Sequence, residues 1–273
     1  METISYTSIG DGRPFLLLHG GGGPQTVAGF AELLAEKPAR VITPVHPGFG
    51  GTPRPDDLTR PGQLAAAYDK LLTDLDLDGV TVVGNSLGGW IAAEMALLNS
   101  PRIAAVILID AVGIEVPGQP IADFFALSFA EIAQHSYHEP AKFRIDPAAF
   151  TPEQQAAMAG NRAALAVYSG NGRMFDPALR ERLAGVTTPV RVIWGEADRI
   201  AGPDYGRALA QAIPGAAFVL LDRTGHLPQI ETPERLLAEV WAALPPARGK
   251  AAARGKAAAR GKAAARGKAV ARG

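Results

Sequence analysis

The sequence predicts an α/β fold, a mostly parallel twisted sheet flanked by helices, and three observations predict it. Short β-branched or leucine-rich runs alternate with helical stretches through most of the chain, which is the pattern of strands covered on both faces. Several of these runs end directly in glycine, histidine or aspartate, at the strand ends where open parallel sheets gather their ligands. And 273 residues, 47% hydrophobic and 20% charged, can bury one large core without requiring two independent domains.

In chain order, strand signals at Thr3–Ser8 and Phe15–Leu18 are followed by a helix over Val27–Glu36 and a strand at Val41–Thr43. Pro61–Asp74 reads as a helix opened by proline, the residue that suits a first helical position. The β-branched run Val80–Val83 is a strand, Leu87–Leu98 a helix and Ala105–Ile109 a strand. Between Val112 and about Thr187 the strand signal disappears. Phe124, Phe125, Leu127 and Phe129 there precede the helical runs Pro152–Tyr168 and Pro177–Leu183. This region reads as a helical cap lying over the active end of the sheet, inserted after the sixth strand. The sheet resumes with Val190–Trp194 and Phe218–Leu221, each followed by a proline-opened helix, Pro203–Ala212 and Pro233–Leu244. The expected organisation is a core of residues 1–111 and 188–244, a cap of 112–187 and a tail of 245–273.

Charge separates tail from body. The whole chain has 27 basic and 27 acidic residues, but the tail holds nine basic ones (Arg248, Lys250, Arg254, Lys256, Arg260, Lys262, Arg266, Lys268, Arg272) and no acidic one. Removing those nine leaves the body with 18 basic against 27 acidic residues. The tail repeats Ala-Arg-Gly-Lys-Ala-Ala and offers nothing larger than Val270 to bury, so it is expected to be disordered and dispensable for catalysis. Weak, non-specific binding of polyanions is the function it could carry. No cysteine is present, which excludes disulfides, thiolate metal sites and a cysteine nucleophile. No apolar run approaches the ~18 residues of a membrane span, and the first residues, METISYTSIGDG, lack the character of a signal peptide. The expected location is cytoplasmic.

The chemistry concentrates at the strand ends. Gly84-Asn85-Ser86-Leu87-Gly88-Gly89 follows one strand and opens a helix, the context in which Gly-x-Ser-x-Gly forms a nucleophile elbow. Glycines two positions either side of Ser86 let the chain turn sharply, and the helix N-terminus favours the negative charge that develops in acyl transfer.

With this motif the chain resembles the α/β-hydrolase superfamily, in its serine-nucleophile branch, from about Thr3 to Leu244. Leu16-Leu17-Leu18-His19-Gly20-Gly21-Gly22-Gly23-Pro24 looks like the family's oxyanion loop. The resemblance implies that the backbone N–H of Gly21, or else Gly22, pairs with that of Leu87 to hold the oxyanion. Trp194-Gly195-Glu196-Ala197-Asp198 resembles the acid loop, making Asp198 the acid and Glu196 a solvent-facing neighbour; Asp110, after Ile109, holds the alternative acid position. Thr224-Gly225-His226-Leu227 matches the histidine loop, and the order Ser86, Asp198, His226 is the order this fold uses. The three residue types are needed together. A serine hydroxyl becomes a nucleophile only when an oriented imidazole takes its proton and a carboxylate fixes the imidazole's tautomer.

The remaining histidines have plainer readings. His19 and His46 border the nucleophile as hydrogen-bonding scaffolds, although His46 stands where the family often has an aspartate, a departure that alters one wall of the site. His135 and His138 are three apart on a cap helix without an apparent third ligand, so no metal is expected, and the implied chemistry needs no cofactor. The expected function is acyl-enzyme hydrolysis of a small or medium carboxylic ester or lactone. Gly22, Asn85, Phe124, Phe125, Phe129 and Leu227 are the candidate pocket residues, with Trp90 a further one. A carbon–carbon bond hydrolase, a cofactor-free perhydrolase and a non-catalytic ligand-binding protein remain alternatives. In the carbon–carbon hydrolases an aromatic residue commonly follows the histidine, where this chain has Leu227.

Overall fold

Seven strands pair into one sheet: β1 (Tyr6–Gly10), β2 (Arg13–Leu18), β3 (Ala39–Pro44), β4 (Val80–Asn85), β5 (Ile103–Ile109), β6 (Val190–Gly195) and β7 (Ala217–Leu221). Their order is β1-β3-β2-β4-β5-β6-β7, with β1 antiparallel to β3 and every other neighbouring pair parallel. The computed structural model describes residues 4–143, 149–170 and 172–245. Apart from Pro245, the predicted basic tail lies outside the described residues, and the described residues up to Ala243 form one unit.

This strand order fixes where a site can be. From β2 the chain moves to β3 on one side, then crosses back to β4 on the other, so β2 and β4 lie side by side with Leu18 opposite Gly84. Connections that leave in opposite directions open a crevice at the carboxyl ends of those two strands. The glycine-rich loop after Leu18 and the turn at Ser86 both stand there.

Helices cover the sheet because its strands are apolar on both faces. All six residues of β4 are buried, as expected of a central parallel strand. Helix α1 (Gln25–Ala35) buries Val27, Phe30, Ala31 and Leu34 and touches α10 (Pro233–Ala242). Helix α2 (Pro61–Asp74) packs on α3 (Leu87–Leu97), which is buried continuously from Leu87 to Ala96 and therefore shows no polar stripe. Helix α8 (Pro203–Ala212) lies against β6 and β7.

Between β5 and β6 the described residues carry no strand, and helices α4 (Phe129–Ser136), α5 (Pro140–Phe143), α6 (Pro152–Tyr168) and α7 (Leu179–Arg182) occupy that interval. Among the described residues the insertion thus leaves the sheet after its fifth strand in chain order, not its sixth, since five strands, β1 to β5, precede it. Capping boxes start two of its helices, Ser128 with Glu131 for α4 and Thr151 with Gln154 for α6. Among the described residues no helix is long and apolar enough to cross a membrane.

Candidate active site

Ser86 sits where β4 hands over to α3, with φ +54 and ψ −116, a left-handed backbone unusual for a residue with a side chain. The turn is tight enough to need glycine on both sides. A Cβ at Gly84 would fall 2.1 Å from the carbonyl oxygen of Gly88, and one at Gly88 would fall 2.3 Å from that of Leu18. The serine's N–H donates to the Ile109 carbonyl at 3.0 Å, so its backbone is held from β5.

Asp198 and His226 meet at this end of the sheet. His226 Nδ1 donates to Asp198 Oδ2 at 2.8 Å, which makes the other ring nitrogen, Nε2, the free base. The opposite carboxylate oxygen of Asp198 accepts the N–H groups of Ile200 at 2.8 Å and Ala201 at 3.1 Å. Charged hydrogen bonds of this kind hold the carboxylate in one orientation. Glu196 is exposed and accepts the N–H of Arg223.

Two residues tie the histidine's backbone down. Asn85, the neighbour of Ser86, donates from Nδ2 to the His226 carbonyl at 3.0 Å, and Ser136 at the end of α4 accepts the His226 N–H at 2.7 Å. Gln229 on the short helix α9 (Pro228–Glu231) completes the Asn85 amide by donating to Oδ1 at 3.1 Å. Asn85 is 2% exposed with both amide ends occupied, so it is an internal strut rather than a pocket residue.

The glycine loop has its own frame. The N–H groups of Gly21, Gly22 and Leu87 have no acceptor among the described residues, which leaves them available to an anion. Beneath the loop, carbonyl oxygens fix the histidine tautomers, since a carbonyl can only accept. His19 Nδ1 donates to the Gly20 carbonyl at 2.8 Å, and its Nε2 accepts the His46 N–H at 3.2 Å. His46 Nε2 donates to the His19 carbonyl at 2.9 Å, and its Nδ1 accepts the Tyr68 hydroxyl at 2.5 Å. Burial holds both rings neutral: it lowers His19 from 6.5 to about 4, and His46 falls well below its ordinary value, with His19 as a second cause. His46 is fully buried under the loop and forms no wall of a pocket.

The cap reaches the same loop through a residue that sequence reasoning missed. Asn161 on α6 donates from Nδ2 to the Gly22 carbonyl at 3.1 Å and accepts the Gly50 N–H at 2.8 Å. One turn later Leu165 lies against Gly21, where an added Cβ would stand 2.6 Å from it. Glu231 is a second missed residue: its carboxylate takes the N–H groups of His138, Glu139 and Gly225 at 3.1, 2.9 and 2.6 Å, joining the cap to the histidine loop. Neither has a sequence signal, because each partner lies far away along the chain or is a backbone group that any residue could supply.

The predicted aromatic lining divides. Phe125 borders a cavity of about 590 Å3 with Ile121, Ala122, Asp123 and Met174, while Phe124 meets Phe125 edge to face with Arg162 against both rings. Phe129 is 47% exposed at the open first turn of α4, although it shares a helix side with the buried Ala133 and Ser136, and it does not border that cavity. Trp90 is buried within α3 against Gly113. Gly22 is exposed and Leu227 half-buried. His135 is half-buried and donates from Nδ1 to the Glu131 carbonyl at 2.8 Å, while the N–H of His138 is committed to Glu231.

Known proteins extend the comparison. The profile of the alpha/beta hydrolase family matches residues 15–240. The chain is 29% identical over 257 residues to the 2-hydroxy-6-oxononadienedioate/2-hydroxy-6-oxononatrienedioate hydrolase 1 of Dechloromonas aromatica (strain RCB), covering 84% of this chain and 86% of that one. It is 29% identical over 248 residues to the 2-hydroxymuconate semialdehyde hydrolase of Pseudomonas putida, covering 83% and 85%. Among solved structures, a thermophilic esterase from Thermogutta terrifontis superposes with a TM-score of 0.67 at 25% identity, covering 87% of this chain and 91% of that one. Strand order, elbow and family profile agree: the chain belongs to the alpha/beta hydrolase family, and is a hydrolase.

Proposed function

We propose that this protein is a serine hydrolase that works through an acyl-enzyme on a small or medium carboxylic ester or lactone. The observation that carries the reading is the left-handed Ser86 at a strand-to-helix turn, between the unpaired N–H of Leu87 and a histidine whose Nδ1–H is committed to Asp198. In this reading Ser86 Oγ attacks the carbonyl carbon and gives its proton to His226 Nε2. Asp198 stabilises the resulting imidazolium, and the N–H groups of Gly21 and Leu87 receive the oxyanion, each such donor worth about 2.7–4 kcal/mol of barrier. His226 then protonates the leaving alcohol, and water repeats the sequence to free the acid. Covalent labelling by a fluorophosphonate and hydrolysis of short p-nitrophenyl esters test it. Ser86→Ala should lose both while its thermal midpoint stays close to that of the parent; labelling that survived in the variant would move the nucleophile elsewhere.

A second reading, cleavage of a carbon–carbon bond in a 2-hydroxy-6-oxo-dienoate, is favoured by the two relatives at 29% identity that are named for such substrates. The family resemblance points the other way: carbon–carbon hydrolases of the superfamily commonly carry an aromatic residue after the histidine, and Leu227 in that place favours the ester. Comparing kcat/KM on p-nitrophenyl butyrate and on a 2-hydroxy-6-oxo-dienoate separates the two.

A further inference from the structure

The mechanism above uses one acid, but the site contains two. Asp110 follows β5 directly, has φ +43, and is fully buried. Aspartate tolerates that left-handed backbone, which turns the side chain across to β6, where Oδ1 accepts the N–H of Gly195 at 2.8 Å. Its other oxygen, Oδ2, is buried without a hydrogen-bond donor among the described residues. Oxygens of Asp110 and Asp198 and a ring nitrogen of His226 all lie within 4.8 Å of one another. Two carboxylates so close cannot both ionise cheaply, and a proton shared between them turns a repulsion into a hydrogen bond.

We propose that Asp110 is a second acid of this site, a positioning residue that braces Asp198 and takes over the orientation of His226 when the Asp198 carboxylate is lost. The inference rests on the serine-hydrolase reading. Burial first, and then the charge of Asp198, hold the Asp110 carboxyl well above the usual carboxylate range, so it stands neutral and donates its proton toward Asp198. The titratable groups facing it are Asp198, from the loop after β6, and His226, from the loop after β7. In the intact protein its neutrality keeps a second negative charge away from the imidazole, which would otherwise be drawn toward its protonated, non-basic form. With Asp198 gone, Asp110 releases its proton to water as the pH rises, and the carboxylate that remains is the nearest partner for His226 Nδ1.

The test compares Asp110→Asn, Asp198→Ala and the double variant, by kcat and KM on p-nitrophenyl butyrate from pH 5 to 9. Asp110→Asn alone should lower kcat by less than about tenfold, the scale of one net hydrogen bond, because an amide can still donate to Asp198. Asp198→Ala should fall by ~10²-fold and keep a residual rate that rises with pH, whereas the double variant should fall by the full ~10⁴-fold expected of an unoriented imidazole. Equal rates for Asp198→Ala with and without Asp110→Asn, at every pH, would overturn the proposal.

Asp198→Ala also strips the acceptor from Ile200 and Ala201, so stability gives an independent readout. A buried carboxyl whose folded value lies above its unfolded one binds a proton that the unfolded chain has lost, so its contribution to stability declines as pH rises above the ordinary carboxylate range. Asp110→Asn needs no proton and should gain thermal stability over the parent between pH 5 and pH 8; a constant difference across that range refutes the neutral second acid. Failure of the underlying reading looks different, since the parent itself would then be neither labelled by a fluorophosphonate nor active on the ester.

Discussion

The two halves of the site are built differently. Ser86 and its glycines rest on β4 and α3, elements buried almost without interruption, so their geometry is set by dense apolar packing. The cap is loosely embedded: α4 buries only Ala133 and Ser136, α5 buries nothing, and the 17-residue α6 buries Asn161, Ala164, Leu165 and Tyr168. It meets the reacting end through the two hydrogen bonds of Asn161, the carboxylate of Glu231, the Ser136 carbonyl and the Tyr168 hydroxyl, which donates to the Pro47 carbonyl at 3.0 Å, with Leu165 against Gly21. The difference teaches that position is bought by the sheet, while the cap adjusts what the sheet holds.

The strongest way to break this division is to leave the packing intact and change one atom in the rigid half. Asp198→Asn should lower kcat by ~10⁴-fold, because the amide N–H facing Nδ1 forces the histidine into the tautomer that cannot accept the serine proton. That is a heavier loss than for Asp198→Ala, which leaves no wrong donor. A steady-state comparison at pH 8 with thermal midpoints alongside would show the rate falling and the fold standing; a loss explained by unfolding would erase the distinction.

A smaller effect sharpens the same half through stability. His19 is held at about 4 against its ordinary 6.5, so the folded chain stays unprotonated where the unfolded chain gains a proton. Stability is therefore full above 6.5 and declines as the pH falls toward 4, by roughly 3 kcal/mol for that ring alone. Urea midpoints at pH 7 and 4.5 measure it, and His19→Gln should show a shallower dependence. A slope unaltered by that substitution would mean other groups carry the acid sensitivity.

The least costly change belongs to the cap. Asn161→Leu keeps the side chain's size but leaves the Gly22 carbonyl and the Gly50 N–H unpaired, at a cost of about 1–3 kcal/mol each if they stay dry and less if water reaches them. The expected signature is a fall in kcat larger than the change in thermal midpoint accounts for, since Gly22 adjoins the N–H groups offered to the oxyanion. As the contrast, Val82→Ala in β4 should cost stability at constant kcat per folded molecule. If Asn161→Leu behaved like Val82→Ala, the cap would be structure only.

What could be read from the sequence was local. Pro61–Asp74, Pro152–Tyr168 and Pro203–Ala212 stand in the structure with the limits their prolines and caps suggested, and strands β4 to β7 lie within two residues of their apolar runs. The strand-end places of Ser86, Asp198 and His226 were legible because each is announced by neighbours one to four positions away. The short helices α5 and α9 were not, since four residues show no period. Asn161 was hidden for another reason, its bond to Gly50 spanning 111 positions. Phe129 misled because apolar character was taken to mean burial, while the side of α4 that buries Ala133 and Ser136 is uncovered at its first turn. Asp110 was weighed against Asp198 as an alternative, and a one-dimensional reading has no means of placing both beside the same ring.

Around the reacting end the hydrogen bonds between cap and core end on peptide groups, the carbonyls of Gly22 and Pro47 and the N–H groups of Gly50, His138, Glu139 and His226, whereas farther off Arg182 of α7 pairs with the Glu94 carboxylate of α3. A peptide group is the same in all residues but proline, so such a tie makes no demand on the side chain of the position it grips. A change of side chain at Pro47, His138 or Glu139 therefore leaves the hydrogen bond itself in place, and the demand for a particular residue falls on Asn161, Tyr168 and Glu231, which supply the side-chain ends.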